Sequence, residues 1–201
     1  MLGATTTPRQ FLERVGAELL RLDPAELQAL ADAIYERFQA GRTVFVCGNG
    51  GSGSNASHLA ADLGKNSLDR KFLDDPKARR LRIVSLTDNI ASILAWGNDE
   101  GFERIFAEQL KGLAQPGDLL VAISGSGNSP NVLRAVEWAN ANGIGTFGCT
   151  GYSGGALRKL ARQCLHVPLD DMGIVESIHL TAFHWIVGNL YARITPRPAA
   201  S

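Results

Sequence analysis

Charge of neither sign is in excess in this 201-residue chain, because 20 lysines and arginines balance 20 aspartates and glutamates. A surface without net positive charge lacks the electrostatic field that non-specific binding to nucleic acids or anionic membranes requires. We therefore expect neither a nucleic acid nor a membrane as a partner. Hydrophobic residues make up 45% of the chain, a share typical of folded globular proteins rather than of disordered ones.

Cysteine and long hydrophobic runs are also scarce. The three cysteines, Cys47, Cys149 and Cys164, stand inside apolar segments at spacings unlike those of zinc fingers. We expect them to be small buried thiols in a reducing compartment. No stretch reaches membrane-spanning length, and the first residues lack the apolar core and cleavage site of a secretory leader. These features predict a cytoplasmic protein.

The length of the chain suits a single domain with one well-buried core. Two helices are predicted first, over 8–22 and 24–40, the second with Asp23 as its N-cap and Pro24 in its first turn. Beyond residue 41, short apolar runs that predict strands alternate with helical patterns. The predicted strands are 43–47, 81–86, 119–123, 144–149 and 164–167, and the predicted helices are 54–65, 90–95, 102–113, 130–142, 154–161 and 175–193.

The predicted strands are apolar without polar alternation, so both of their faces are expected to be buried. This pattern predicts an α/β domain with a doubly wound, five-stranded parallel sheet and helices on both faces. We expect residues 41–195 to form this domain and residues 1–40 to form a helical extension that packs on it and on a partner subunit. Ligands of such sheets bind beyond the carboxyl ends of the strands, which directs attention to the loops there.

The first such loop has the sequence GNGGSGS over residues 48–54. Gly50 and Gly51 permit close approach of the backbone to a ligand, and Ser52 lies where a helix is about to begin, so exposed N–H groups would suit an anion. The segment also fits the pattern G-x-G-x-x-G, which is typical of dinucleotide sites. That alternative requires an acidic residue at the end of the next strand, about 20 residues further on; here the second predicted strand ends later, near Leu86, with Asp88 just beyond it. The spacing therefore argues against a dinucleotide.

The third predicted strand ends in a second loop of the same character, SGSGNSP over residues 124–130. Pro130 is suited to the first turn of a following helix. The hydroxyl groups of Ser124, Ser126 and Ser129, together with backbone N–H groups, would surround a phosphate without a lysine. The absence of a Walker lysine disfavours a nucleoside triphosphate. Either loop alone could be only a tight turn with helix caps, but two on neighbouring strands favour a phosphate site.

Histidines and carboxylates near these loops are candidates for catalysis. His58 and Asp62 lie four residues apart and therefore on one face of the helix that the first loop opens. Glu176, His179 and His184 fall in an otherwise apolar helix, where His179 and His184 cannot share a face and Glu176 lies two turns from His184. The alternative interpretation is that these residues form an ion pair and hydrogen-bonded core histidines.

Such a set suits the interconversion of an aldose and a ketose, in which a proton moves between adjacent carbons through an enediolate. The reaction requires one base and a second group that protonates oxygen, roles that Asp62 and His184 can fill. The same imidazole and carboxylate groups can hold a divalent metal such as zinc, which would polarise the carbonyl. The residues alone leave these two options open.

The motifs GNGGS, a histidine-bearing helix, TDN, SGSGNS and ESIHLTAFH together resemble the phosphoheptose isomerases of the sugar-isomerase (SIS) domain superfamily, over about residues 41–193. The resemblance implies a flavodoxin-like SIS domain, conversion of sedoheptulose 7-phosphate to D-glycero-D-manno-heptose 7-phosphate, a homotetramer with interfacial sites, and bound Zn²⁺. It also implies roles for individual residues. Metal ligation is implied for His58, Asp62, Glu176 and His184. Catalysis is implied for Asp62 and His184. Contacts with the substrate or its phosphate are implied for Asn49, Gly50, Gly51, Ser52, Asp88, Ser124, Gly125, Ser126, Ser129 and Glu176.

Three residues depart from the pattern of that family. Asp62 stands where the family has a glutamate, and Glu176 stands where it has a glutamine, which adds a negative charge that favours a metal. Gly125 replaces the threonine of the family's phosphate loop. Two alternatives therefore remain open: isomerisation of a different sugar phosphate, and a non-catalytic SIS domain that binds a phosphosugar as a regulator or associates with a replication initiator.

Overall fold

The computed structural model describes residues 6–195. Helices and strands alternate after two initial helices, and short 3-10 turns occupy Arg70–Phe72 and Phe102–Arg104. In chain order the elements are α1 (Pro8–Leu19), α2 (Pro24–Ala40), β1 (Thr43–Gly48), α3 (Gly50–Asn66), β2 (Arg82–Ser85), α4 (Ile90–Asp99), α5 (Ala107–Leu113), β3 (Leu119–Ser124), α6 (Pro130–Ala141), β4 (Gly145–Thr150), α7 (Leu157–Leu160), β5 (Gln163–His166) and α8 (Met172–Ile194).

The five strands form one parallel sheet in the order β2-β1-β3-β4-β5, which is the flavodoxin-like order. This confirms the predicted doubly wound five-stranded sheet. β1 and β3 are neighbours in the sheet although they are not consecutive in the chain, and Gly48 is paired with Ile123. The strand order reverses at this point, so the crevice that binds ligands in such folds opens beyond the carboxyl ends of β1 and β3.

Alternate residues of the strands point into two separate cores. Val44 and Val46 of β1 join the core under α2, α3 and α8, whereas Phe45 and Cys47 join the core under α5 and α6. Burial of both faces explains the continuous apolar runs of the central strands. The edge strand β2 differs, because its residues alternate in exposure and the side chain of Val84 is 40% exposed.

The second helix is part of the core rather than a peripheral addition. Asp23 caps α2 by accepting a hydrogen bond from the Ala25 amide (2.8 Å), as predicted, and Leu30 and Ile34 are fully buried against the sheet. By contrast, α1 contributes no buried residue. The division at residues 40 and 41 stays a prediction, and residues 1–5 of the predicted extension lie outside the described residues.

Several predicted boundaries differ from the structure. α3 begins at Gly50 rather than at residue 54, because the glycine loop itself forms the first helical turn. The predicted helix 102–113 is a 3-10 turn followed by α5, and α7 covers only Leu157–Leu160. Cys47 and Cys149 are buried as expected, whereas Cys164 on the edge strand β5 is only partly buried.

The polar segment between α3 and β2 is anchored at both ends. The Arg79 guanidinium donates hydrogen bonds to the carbonyls of Phe38 and Gln39 at the end of α2. The Tyr191 hydroxyl of α8 donates to Asp69 (3.2 Å). Within residues 6–195, no helix combines the length and the apolarity that crossing a bilayer requires.

Candidate active site

The two serine- and glycine-rich loops meet around one cavity beyond the ends of β1 and β3. The cavity has a volume of about 170 Å³. Ser52 and Ser124 are each only 4% exposed. The residues that line the cavity are Asn49, Ser52, Ile123, Ser124, Gly125, Ser126, Ser129, Met172 and Glu176.

The two helices that begin at this cavity, α3 and α6, have residues at their N-cap positions that are suited to capping but form no capping hydrogen bond. Asn49 precedes α3 and Ser129 precedes α6, yet neither side chain forms an N-cap hydrogen bond. The Ser129 hydroxyl instead lies 3.1 Å from that of Ser124, and the Asn49 amide pairs with Asn131. The first N–H groups of a helix have no acceptor within the helix. The cavity is therefore bordered by two helix N-termini: the first N–H groups of α3 are available to an anion, whereas at α6 Pro130 has no N–H and the Val132 amide donates to Asn131 Oδ1 (3.0 Å).

Two glycines of the second loop lie close to other parts of the chain. Gly127 has a φ of +68°, and a β-carbon there would meet the Gly154 carbonyl oxygen at 2.0 Å. A β-carbon at Gly125 would meet the sulfur of Met172 at 2.4 Å. The space beside Gly125, where the resembled family has a threonine side chain, is thus filled by the first residue of α8.

Glu176 lies within the regular part of α8 and reaches the beginning of α3. A β-carbon on Gly51 would come within 2.2 Å of a carboxylate oxygen of Glu176, so the carboxylate lies directly over the first turn of α3. The main-chain carbonyl of Glu176 accepts a hydrogen bond from the Asn55 side chain (2.9 Å). A negative charge at a helix N-terminus is favourable, and Glu176 occupies that position beside the cavity.

Three predicted site residues converge on the outer face of α3 and α8. The Nε2 atoms of His58 and His184 are 3.0 Å apart, and an oxygen of Asp62 lies 3.2 Å from the first and 3.9 Å from the second. The other oxygen of Asp62 accepts a hydrogen bond from Asn66 (3.3 Å). The side chains of His58 and His184 are 46% and 54% exposed, so a ligand can reach them.

The donor set of these three side chains fits a metal ion. One ligand atom from each of His58, Asp62 and His184 lies within 4.8 Å of the others. Two imidazoles and one carboxylate form a typical catalytic zinc set, which leaves a position open for substrate. Glu176, also predicted as a ligand, is not part of this group and lies at the cavity instead.

His179 and Asp88 are placed apart from these three residues. His179 is completely buried and stacks on Phe183, and the main chain of Thr150 approaches its ring without a hydrogen bond of good geometry. Burial lowers the pKa of His179 to about 4, so this imidazole is neutral. Asp88 is exposed and accepts a hydrogen bond from the Ser57 hydroxyl on α3. It does not line the cavity in the single chain.

Two polar residues of the site region were missed by the sequence reasoning. Asn131 pairs with Asn49 across the two loops, and Thr87 forms hydrogen bonds of 3.3 Å with the main chain of Gly48. Asn131 follows Pro130 in the first turn of a predicted helix, where a buried asparagine is unusual. This burial is visible only in the structure, so the sequence carried no signal for the pair. Thr87 belongs to the TDN motif, which gave no indication of this contact with Gly48.

Comparison with known proteins decides the family. Residues 10–151, more than half of the chain, match the SIS domain family. The phosphoheptose isomerase of Rhodospirillum rubrum is 38% identical over 184 residues, which cover 90% of this chain and 93% of that protein. The chain belongs to the phosphoheptose isomerase family of SIS-domain proteins.

Solved structures of the phosphoheptose isomerase family share the fold over nearly the whole chain. The phosphoheptose isomerase of Neisseria gonorrhoeae superposes with a TM-score of 0.81 at 28% identity and covers 92% of this chain and 96% of its own. The enzyme from Francisella tularensis gives the same TM-score at 30% identity and the same coverage. These findings confirm the predicted family, the SIS fold and an enzyme of the sugar-phosphate isomerase class.

Proposed function

We propose that the chain interconverts sedoheptulose 7-phosphate and D-glycero-D-manno-heptose 7-phosphate. The observation that carries this proposal is the presence, on one helix, of a phosphate-sized cavity at the N-terminus and of His58 and Asp62 further along. Ser52 and His58 are six residues apart, which is roughly 9 Å along a helix axis. An extended sugar chain fixed by its phosphate at one end can reach the histidines with the other.

The loops hold the phosphate through neutral donors. The hydroxyls of Ser52, Ser124, Ser126 and Ser129 border the cavity, and the first turn of α3 adds main-chain N–H groups. Hydrogen bonds to a charged oxygen are stronger than those between neutral groups. The cavity lining contains no lysine or arginine, so recognition depends on hydrogen-bond geometry and suits a single phosphomonoester.

Asp62 and His184 carry out the proton transfers of an enediolate mechanism. One group takes the proton from the carbon beside the carbonyl and returns it to the neighbouring carbon, and the other moves a proton between the two oxygens. The hydrogen bond from Asn66 orients the Asp62 carboxylate, and the His184 ring faces both Asp62 and His58. Proximity of the two groups to one end of a bound chain supplies the required orientation.

His58, Asp62 and His184 would hold a divalent metal ion, which we propose is Zn²⁺. When bound, such an ion polarises the substrate carbonyl and stabilises the negative charge on its oxygen. Glu176, the fourth ligand predicted from the sequence, lies about two turns of α8 before His184 and borders the cavity instead. Its role in the proposal is to border the phosphate.

We propose a cytoplasmic homotetramer. Support comes from apolar side chains that no described residue covers, including Phe11 (42% exposed), Leu12 (68%) and Leu20 (89%) around α1 and Leu94 (65%) on α4. Apolar exposure on two separate elements is typical of subunit interfaces. Sedimentation at micromolar concentration tests this assembly, and a monomer would contradict it.

The direct test is an assay of the purified protein with sedoheptulose 7-phosphate, with and without a chelator. The proposal predicts formation of the aldose phosphate, loss of turnover after chelation and recovery on addition of zinc. Binding of the phosphosugar without any turnover in the zinc-loaded protein would favour the alternative of a regulatory SIS domain. Turnover of another sugar phosphate but not of this heptulose would correct the substrate.

A further inference from the structure

The two loops at the cavity are joined by a reciprocal pair of side-chain amides. Asn49 Nδ2 donates to Asn131 Oδ1 (2.9 Å), and Asn131 Nδ2 donates to Asn49 Oδ1 (2.8 Å). The partners are 82 residues apart in sequence, so the pair connects the start of α3 to the start of α6 directly. Asn131 also accepts a hydrogen bond from the Val132 amide (3.0 Å).

Burial gives this pair its importance. Asn131 is only 1% exposed. A buried amide that loses its partner keeps the cost of its lost hydration, so the pairing is strongly favoured over alternative rotamers. Asn131 itself does not line the cavity, whereas Asn49 does.

The pair also explains why α3 has no side-chain cap. Asparagine at an N-cap position normally accepts a hydrogen bond from the second or third helical N–H. Asn49 stands at this position in an extended conformation, yet its side chain makes no capping bond because both its donor and its acceptor face Asn131. The N–H groups of the first turn of α3 therefore stay available on the cavity side.

We infer that Asn131 is a positioning residue that joins the two phosphate-binding loops and holds the Asn49 side chain away from the α3 N-terminus. This inference rests on the proposed function for its consequence, since the freed N–H groups matter through the phosphate that they bind. Asn131 acts without touching the ligand. Its removal allows Asn49 to cap α3 and lets the two loops move independently.

The test uses two readouts on the full-length protein. The first is hydrogen–deuterium exchange in peptides that cover the start of α3 and the start of α6. In Asn131→Ala, exchange is expected to become faster at the start of α6, where the Val132 amide loses an acceptor, and slower at the first N–H groups of α3, which the freed Asn49 side chain then caps. The second is the affinity for inorganic phosphate, which is expected to fall about tenfold, with a similar rise in KM for the sugar phosphate and a smaller change in kcat.

Asn140→Ala is the matched control. Asn140 lies on the same helix, and its side chain forms two hydrogen bonds, to the Leu160 carbonyl (2.9 Å) and from the Thr146 hydroxyl (2.8 Å), but it does not line the cavity. It is expected to lower thermal stability without changing exchange at α3 or phosphate affinity. If Asn131→Ala does not fold, both measurements are made on Asn131→Ser, which keeps a small polar group at the position.

The outcomes separate the inference from the proposed function. Faster exchange at the start of α6 in Asn131→Ala, with unchanged exchange at the start of α3, overturns the positioning role. The same holds if the wild type binds phosphate and Asn131→Ala binds it with the same affinity. If wild-type protein binds neither phosphate nor the sugar phosphate, the proposed function fails. In that case exchange at α3 alone decides whether Asn131 couples the two helix starts.

Discussion

The Nε2 atoms of His58 and His184 lie 3.0 Å apart although 126 residues separate them in the chain. The two histidines meet because α3 packs against α8. Each lies on the solvent-exposed side of its own helix, next to the line of contact between the two helices. Asp62 joins them from one turn further along α3. This arrangement places an imidazole and a carboxylate, the two kinds of group that proton transfer requires, at one accessible point.

Substitution of the proposed acid and base is expected to reduce turnover with little effect on folding. Asp62→Asn keeps the size of the side chain and removes its basicity, and His184→Ala removes the imidazole. Each is expected to lower kcat by about 10²–10⁴-fold, measured with sedoheptulose 7-phosphate. Because both groups are also proposed metal ligands, zinc content is measured beside the rate. Unchanged kcat in both variants would remove the catalytic assignment.

Loss of a cavity hydroxyl is expected to weaken binding rather than chemistry. Ser52→Ala and Ser124→Ala each remove a donor to a charged phosphate oxygen, so KM is expected to rise about tenfold while kcat changes less. Steady-state kinetics measure the split. Ser92→Ala on α4, outside the cavity, is the control and is expected to leave both constants unchanged.

Glu176→Gln is expected to increase the affinity for phosphate. The carboxylate lies over Gly51 at the start of α3 and borders the cavity, so it repels a bound anion at close range. An increase of about tenfold in affinity for inorganic phosphate is expected by calorimetry, and it should diminish at high salt. Glu137→Gln on the exposed side of α6 serves as control. An equal or lower affinity in Glu176→Gln would mean that the carboxylate moves away when the anion binds.

The buried His179 is expected to make the fold sensitive to acid. Its folded-state pKa is lowered from 6.5 to about 4 by burial, so between these values the unfolded chain binds a proton that the folded chain does not. The stability associated with neutral His179 is present above pH 6.5 and is lost as the pH falls toward 4, by on the order of 3 kcal/mol. In His179→Leu, the fall in melting temperature from pH 7 to pH 4.5 is expected to be smaller. The same fall in both proteins would contradict this.

Much of the fold was predictable because its signals are local. The β1 run TVFVC and the Asp23-Pro24 helix start each depend on a few neighbouring residues, and both appear in the structure as predicted. The start of α3 was not predictable, because a run of glycines favours a loop. In the structure these glycines form a helical turn that lies close to Thr87 and α8.

The site was predictable in its residue types but not in its pairings. The spacing of His58 and Asp62 places them on one face, and the structure gives a separation of 3.2 Å. The position of Glu176 at the cavity, apart from the two histidines, depends on how α8 crosses α3, which no local pattern encodes. The amide pair of Asn49 and Asn131 was missed for the same reason.

The most direct test of the account is conversion of sedoheptulose 7-phosphate by zinc-loaded protein in deuterated water, followed by NMR. An enediolate formed next to solvent-accessible groups predicts an aldose phosphate with deuterium at the carbon adjacent to its aldehyde. If the protein binds the sugar phosphate but neither forms the aldose nor exchanges any carbon-bound hydrogen, the proposed isomerase activity is contradicted.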